Sequence, residues 1–156
     1  MTGMPRRSGD AFFARLDLVD QVHDAINATD PNGIIVAWNA AAERMYGYSA
    51  AEVLGKSIRL IIFPEDRPSF EREIIEPLQT NGSHELTVRN RCKDGSEIFV
   101  ALRLSLMRDE SGTVIGMIGC SNDITQRKYA EDELLREVAE RRRVEQALRD
   151  SEEKLK

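Results

Sequence analysis

From Gln126 to Lys156 the chain contains neither glycine nor proline, and Leu, Ala, Glu, Arg and Lys dominate the run. Local propensity therefore commits it to one long exposed helix, read here as a coiled-coil signalling helix over 126–156. Immediately upstream, Val114-Ile115-Gly116-Met117-Ile118-Gly119-Cys120 is short, apolar and introduced by the Asp109-Glu110-Ser111-Gly112 turn, which predicts a buried strand. The junction thus joins the last strand of a core to a rigid rod. Thr125 is the expected N-cap of that rod. Asp123, Ile124 and Thr125 form the hinge through which the core's state would reach the helix.

With that segment set aside, roughly 110 residues remain, enough for one hydrophobic core. The net charge of −5 gives no electrostatic reason to expect a nucleic-acid or membrane partner. No apolar run approaches the length of a membrane span, and residues 1–9 carry arginines but no apolar stretch behind them. These features predict a disordered N-terminus over 1–9 and a cytoplasmic location. Cys92 and Cys120 are too few for a disulfide framework or a zinc site and read as reduced thiols.

Caps and turns give the order of elements. Phe12, Phe13, Leu16, Val19, Val22 and Ile26 recur at spacings of three and four, predicting an amphipathic helix over 10–25. Asp30-Pro31-Asn32-Gly33 is a tight turn between strands 25–29 and 34–38. Asn39 caps a helix from Ala40 to Tyr46 that Gly47 stops, and Ser49-Ala50-Ala51-Glu52 is a capping box opening a second short helix. A further helix begins at Pro64-Glu65-Asp66-Arg67-Pro68, with Asp66 as its cap, Phe70, Ile74, Ile75 and Leu78 as its apolar stripe, and Pro77 limiting its length. Strands 85–91 and 97–107 flank the Lys93-Asp94-Gly95-Ser96 turn. The sum is an α+β arrangement, a five-stranded antiparallel sheet covered on one face by short helices.

Asp30-Pro31-Asn32-Gly33, the stretch Trp38 to Lys56, Arg91 to Ser96, Arg108 to Gly112 and Asp123 to Lys128 together resemble a PAS domain in order and spacing. The resemblance covers residues 18–128, with the domain itself at 18–125. It implies a sensory and dimerisation module of a multidomain signalling protein. The effector would be a histidine kinase, a diguanylate cyclase or phosphodiesterase, or another PAS repeat, joined beyond Lys156. A ligand-free interaction module and a flavin- or heme-type sensor are the alternatives.

No catalytic set accompanies it. His23 and His84 have no evident nucleophile or base beside them, His23 reading as a surface or helix-cap residue and His84 as a solvated loop residue. The chain itself is therefore expected to be no enzyme, and no metal site is expected. The family's flavin-photosensing branch carries Asn-Cys-Arg-Phe-Leu-Gln where this chain has Ser57-Ile58-Arg59-Leu60-Ile61-Ile62-Phe63, so the adduct-forming thiol is missing. The heme branch needs a histidine near the position of Phe70, which cannot ligate iron, leaving only Met117 or Cys120 as nominal axial ligands. No cofactor is predicted, although Trp38, Asn27 and Asn39 supply the residue types of a non-covalent flavin site and an unknown small-molecule ligand remains open. The candidate pocket comprises Asn27, Met45, Ile62, Phe70, Ile74, Leu86, Leu102, Met117 and Ser121, with Ile58, Phe63, Val88, Val100 and Gly119 as further walls. Asn27 departs most from its apolar strand: it pairs with backbone, points outward or meets a ligand.

Leu134, Val138, Arg141, Glu145, Leu148, Glu152 and Leu155 trace one heptad seam, and Val144, Leu148, Ser151 and Leu155 a competing one after a three-residue shift. Two registers separated by a few kcal/mol describe a switchable coil. A homodimer is expected through this helix and through the N-terminal helix bearing Phe12, Leu16 and Val19.

Overall fold

The computed structural model describes residues 23–156. Two units, one ending at Asp123 and the other spanning Ile124–Lys156, are each compact in their own contacts.

In the first unit, β1 (Ala25–Thr29) and β2 (Ile35–Trp38) form a hairpin. Its turn is closed by Asp30, whose Oδ1 accepts from the amides of Asn32 at 2.8 Å and Ile34 at 2.9 Å. Asn39 then caps α1 (Ala40–Tyr46), its Oδ1 accepting from Ala42 N at 2.8 Å, and Gly47 ends it at φ 79°. The capping box of α2 (Ala50–Val53) is complete, with Ser49 N donating to Glu52 Oε2 at 2.7 Å and Glu52 N to Ser49 Oγ at 3.3 Å.

The next helical segment is broken into pieces. Two 3₁₀ turns, Ile58–Ile61 and Pro64–Asp66, precede α3 (Arg67–Phe70), a π-helical turn (Glu71–Ile75) and α4 (Glu76–Asn81). Pro77 does not end the segment, as its position suggested, but stands in the first turn of α4. Having no N–H, it cannot bond the Glu73 carbonyl one turn back. That carbonyl is taken instead by the His84 imidazole, whose Nε2 lies 3.1 Å away and donates the proton. Asp66 occupies the N-cap position of α3 yet makes no capping bond, because its carboxylate is drawn to Arg89.

Strands β3 (Ser83–Arg91), β4 (Glu97–Arg108) and β5 (Val114–Asp123) complete an antiparallel sheet of order β2-β1-β5-β4-β3. All three extend past their sequence-predicted ends, so His84 lies in a strand and not in a loop. At Gly116 a Cβ would sit 2.1 Å from the Thr29 carbonyl oxygen, so only glycine lets β5 approach β1 there. The core, around Ile35, Trp38, Tyr46, Val53, Ile61, Ile98 and Val100, fills the space between the sheet and the helical face.

The second unit is one helix, α5 (Thr125–Lys154). Thr125 is its first residue, not its cap; Ile124 holds the cap position without a side-chain bond. Of the three hinge residues, Asp123 closes β5, Ile124 is the connector and Thr125 opens α5. Leu134, Val138, Leu148 and Leu155 are all exposed. Ion pairs run along the helix, among them Arg127–Glu131 and Lys128–Asp132 at i, i+4 and Glu140–Arg143 at i, i+3. The proposed helix over 10–25 and the disordered 1–9 fall outside the described residues up to residue 22. His23 and Asp24 form a bend and Ala25 already belongs to β1, so that helix does not reach 25.

Candidate functional site

Between the sheet and the segment running from Ile58 to Ile75 lies a cavity of about 280 Å³. Alternation along β1 turns Asn27 and Thr29 toward it, and alternation along β5 does the same for Met117, Gly119 and Ser121. Leu102 and Leu104 from β4 and Val88 and Asn90 from β3 complete the floor. The opposite wall is Ile58, Ile61, Ile62, Phe70, Ile74 and Ile75. A π-helical turn at this wall widens the helix where Ile74 and Ile75 face the cavity, a distortion frequent at functional sites.

Of the pocket residues expected from sequence, Asn27, Ile62, Phe70, Ile74, Leu102, Met117 and Ser121 line this cavity, as do Ile58, Val88 and Gly119. Met45 does not; it packs on the core cluster, and its carbonyl accepts from Cys92 Sγ at 3.4 Å. Leu86 pairs across the sheet with Leu102 and borders a groove with Asp24, Cys120 and Asn122 instead. Phe63 is turned beneath the Arg89 guanidinium, 4.6 Å from its centroid, and Val100 is fully buried in the core. Trp38 and Asn39 also lie off the cavity. Trp38 Nε1 donates to the Tyr48 carbonyl at 3.1 Å and the Trp38 ring packs at a tilt of 42° against Tyr46, centroids 5.3 Å apart, while Asn39 is consumed by its cap and by the Ile26 amide at 2.9 Å.

The floor holds more polar groups than its apolar strands suggest. Tyr46, fully buried, accepts from Asn90 Nδ2 at 3.0 Å and donates to Ser121 Oγ at 3.4 Å, and its burial pushes the phenol's pKa up. Among the described residues Thr29 Oγ1 is buried without a partner. Asn27 is 6% exposed, and among the described residues nothing bonds its carboxamide.

At the cavity's other end stands an ion cluster. Arg89 binds Asp66 through Nε at 2.8 Å and Nη2 at 3.1 Å, Glu65 at 3.0 Å and Glu97 at 3.2 Å. These partners hold the guanidinium above its usual pKa. Asp66, Glu73 and Arg89 are the charged residues of the lining, and the one cation is already matched.

Sequence reasoning missed Thr29, Tyr46, Asn90 and Arg89. Asn90 had a readable signal: it continues the inward series Leu86, Val88 on β3 as a polar residue in an apolar phase. Neither cysteine borders the cavity, and burial raises the pKa of both thiols, with Asp24 adding to the effect at Cys120. Among the described residues there is no group of three or more metal-ligating side chains, and no helix is long and apolar enough to cross a membrane.

Residues 23–126 match the family described as PAS domain. The chain belongs to that family. It is 31% identical over 108 residues to the Bacterioopsin transcriptional activator of Halobacterium salinarum, covering 69% of this chain and 16% of that protein. To Two-component system protein A of Emericella nidulans it is 33% identical over 117 residues, covering 73% and 17%. To the Blue-light-activated histidine kinase of Brucella anthropi it is 26% identical over 119 residues, covering 76% and 24%. The chain therefore spans less than a quarter of the length of each of these signalling proteins. A crystal structure of the PAS domain of a Colwellia psychrerythraea protein superposes with a TM-score of 0.69 at 29% identity, covering 75% of this chain and 99% of that one. An RNA-binding light-oxygen-voltage receptor does so with a TM-score of 0.66 at 29% identity, covering 91% and 42%.

Proposed function

We propose that this chain is the sensory module of a larger signalling protein, in which a small molecule in the sheet cavity sets the state of β5 and α5 carries that state to an effector joined after Lys156. The observation that carries this reading is continuity: Met117, Gly119 and Ser121 line the cavity on the strand whose chain runs through Asp123 and Ile124 into α5. A histidine kinase or another two-component protein is the effector favoured, since relatives with this domain carry those names; a diguanylate cyclase serves the same logic. The active unit is a homodimer paired through α5, because Leu134, Val138, Leu148 and Leu155 present apolar surface along a helix that buries none of it alone. The module itself performs no chemistry and works in the cytoplasm.

Native mass spectrometry of the freshly purified chain, set against its denatured mass, tests this. The reading expects a dimer carrying a small additional mass. A bare monomer that stays monomeric at high concentration contradicts it.

A flavin is the second reading, favoured by relatives and neighbours named for blue light and for light-oxygen-voltage sensing. The residues do not fit the adduct-forming version, because Ile58 stands at the position of its thiol and neither Cys92 nor Cys120 lines the cavity. A flavin here would be held without a covalent bond against Asn27, Asn90 and Ser121. A visible absorbance spectrum of the purified chain decides between the two readings.

A further inference from the structure

We infer that the β1 edge of the cavity, made by the Asn27 carboxamide and the Thr29 hydroxyl, recognises a compact uncharged molecule with an apolar body and an adjacent hydrogen-bond donor and acceptor, as in a lactam or a related heterocycle. This rests on the cavity being the sensory input.

Two unpaired polar groups on one strand edge are the starting point. Asn27 is 6% exposed and Thr29 3% exposed, both face the cavity, and neither side chain finds a partner among the described residues. A buried hydroxyl left in that condition is rare and costly, and a ligand seated in the cavity would give it and the neighbouring carboxamide their partners. They stand two residues apart, about 7 Å along the strand, and so point the same way, bordering the same ligand at two places. Gly119 lies directly opposite Asn27, and a Cβ there would approach Asn27 Oδ1 to 3.1 Å, so the glycine leaves the carboxamide its room. A carboxamide offers one acceptor and one donor group and a hydroxyl offers both, which selects a ligand edge carrying both.

The remaining surface sets the body. Ile58, Ile62, Phe70, Leu102 and Met117 are apolar, and the volume of about 280 Å³ lies just below the usual range for small-molecule sites, roughly 300–1,000 Å³, which calls for a compact body. Charge is excluded at both ends. An anion finds no free cation, because Arg89 is held by three carboxylates, and Glu73 adds negative charge. A cation finds no carboxylate at Asn27 and Thr29, because the lining's two, Asp66 and Glu73, stand on the opposite, helical wall and Asp66 is already bound to Arg89.

The test titrates the full chain with carbostyril, a benzo-fused lactam, with naphthalene, which has its shape but neither polar group, and with naphthoate, which adds a negative charge. Binding is followed by proton–nitrogen NMR of backbone and side-chain amides. The inference expects carbostyril to shift the Asn27 side-chain signals and to bind at least about tenfold more tightly than naphthalene, with naphthoate weaker than carbostyril. Asn27→Leu and Thr29→Val should each shrink that preference. Asn27→Leu should also raise the melting temperature of the free domain, since it removes a partnerless buried amide, which shows that the variant folds. Naphthalene or naphthoate binding as tightly as carbostyril, or Asn27→Leu keeping the preference, overturns the inference while the cavity still stands as a binding site. No probe of any class perturbing the cavity signals overturns the sensory reading itself, and the inference falls with it.

Discussion

The Arg89 guanidinium grips the Asp66 carboxylate with two parallel hydrogen bonds, Nε to Oδ2 at 2.8 Å and Nη2 to Oδ1 at 3.1 Å, tying the start of α3 to the C-terminal end of β3. Glu65 and Glu97 complete the cluster, and Phe63 lies under its face. Because the fork geometry is what lysine cannot reproduce, Arg89→Lys should lower the thermal midpoint clearly and Arg89→Ala should lower it further. Paired melting curves check this. Equal midpoints for the lysine variant and the wild type would mean that the fork contributes nothing.

Tyr46 and Asn90 form the buried polar link between α1 and β3. Tyr46→Phe removes the oxygen that accepts from Asn90 Nδ2 and should cost about 1–3 kcal/mol in urea denaturation, the price of stranding a buried amide. Adding Asn90→Leu to that variant should recover part of the loss, since both partners are then apolar. A double variant less stable than Tyr46→Phe alone would contradict the account.

The element borders legible in the sequence were those set by local chemistry. Asn39, the Ser49–Glu52 box and the Lys93 to Ser96 turn, where Asp94 Oδ1 accepts from Ser96 N at 2.9 Å, each act within a few residues. The site was legible only in its phase. Alternation placed Met117, Gly119 and Ser121 on one face, and Asn27 stood out as polar in an apolar strand. What escaped notice joins distant segments: Arg89 meets Asp66 across 23 positions and Tyr46 meets Asn90 across 44. Asp66 takes the cap position that the helix beginning beside it suggests, but its carboxylate goes to Arg89 instead.

The link between Pro77 and His84 makes a non-additive prediction. His84→Ala should cost up to about 1 kcal/mol, since it removes the hydrogen bond to the Glu73 carbonyl. In a Pro77→Ala background the restored amide can take that carbonyl, so the same histidine change should cost nearly nothing. Additive effects across the four proteins would refute the link.

Glu52 gives an acid-range prediction. Its bond to Lys93 and the Ser49 backbone amide depress its pKa from 4.5 to about 2. A depressed folded pKa means stability that is present above 4.5 and is lost as pH falls toward 2. Glu52→Gln should therefore melt below the wild type at neutral pH, and the gap should close across that window. A gap independent of pH would count against the assignment.

The seam on α5 should respond to charge. Val138→Glu combined with Leu148→Glu should convert a dimer to a monomer in sedimentation experiments while leaving the thermal unfolding of the sheet domain unchanged, because neither side chain contributes to its core. A dimer that persists would move the interface elsewhere.

Whether cavity occupancy reaches the helix is measured most directly by amide hydrogen exchange of the full chain with and without saturating carbostyril. The account predicts changed exchange in β5 and in the opening turns of α5, from Ser121 through the residues that follow Thr125. Protection confined to the cavity walls, with α5 exchanging identically in both states, would contradict it.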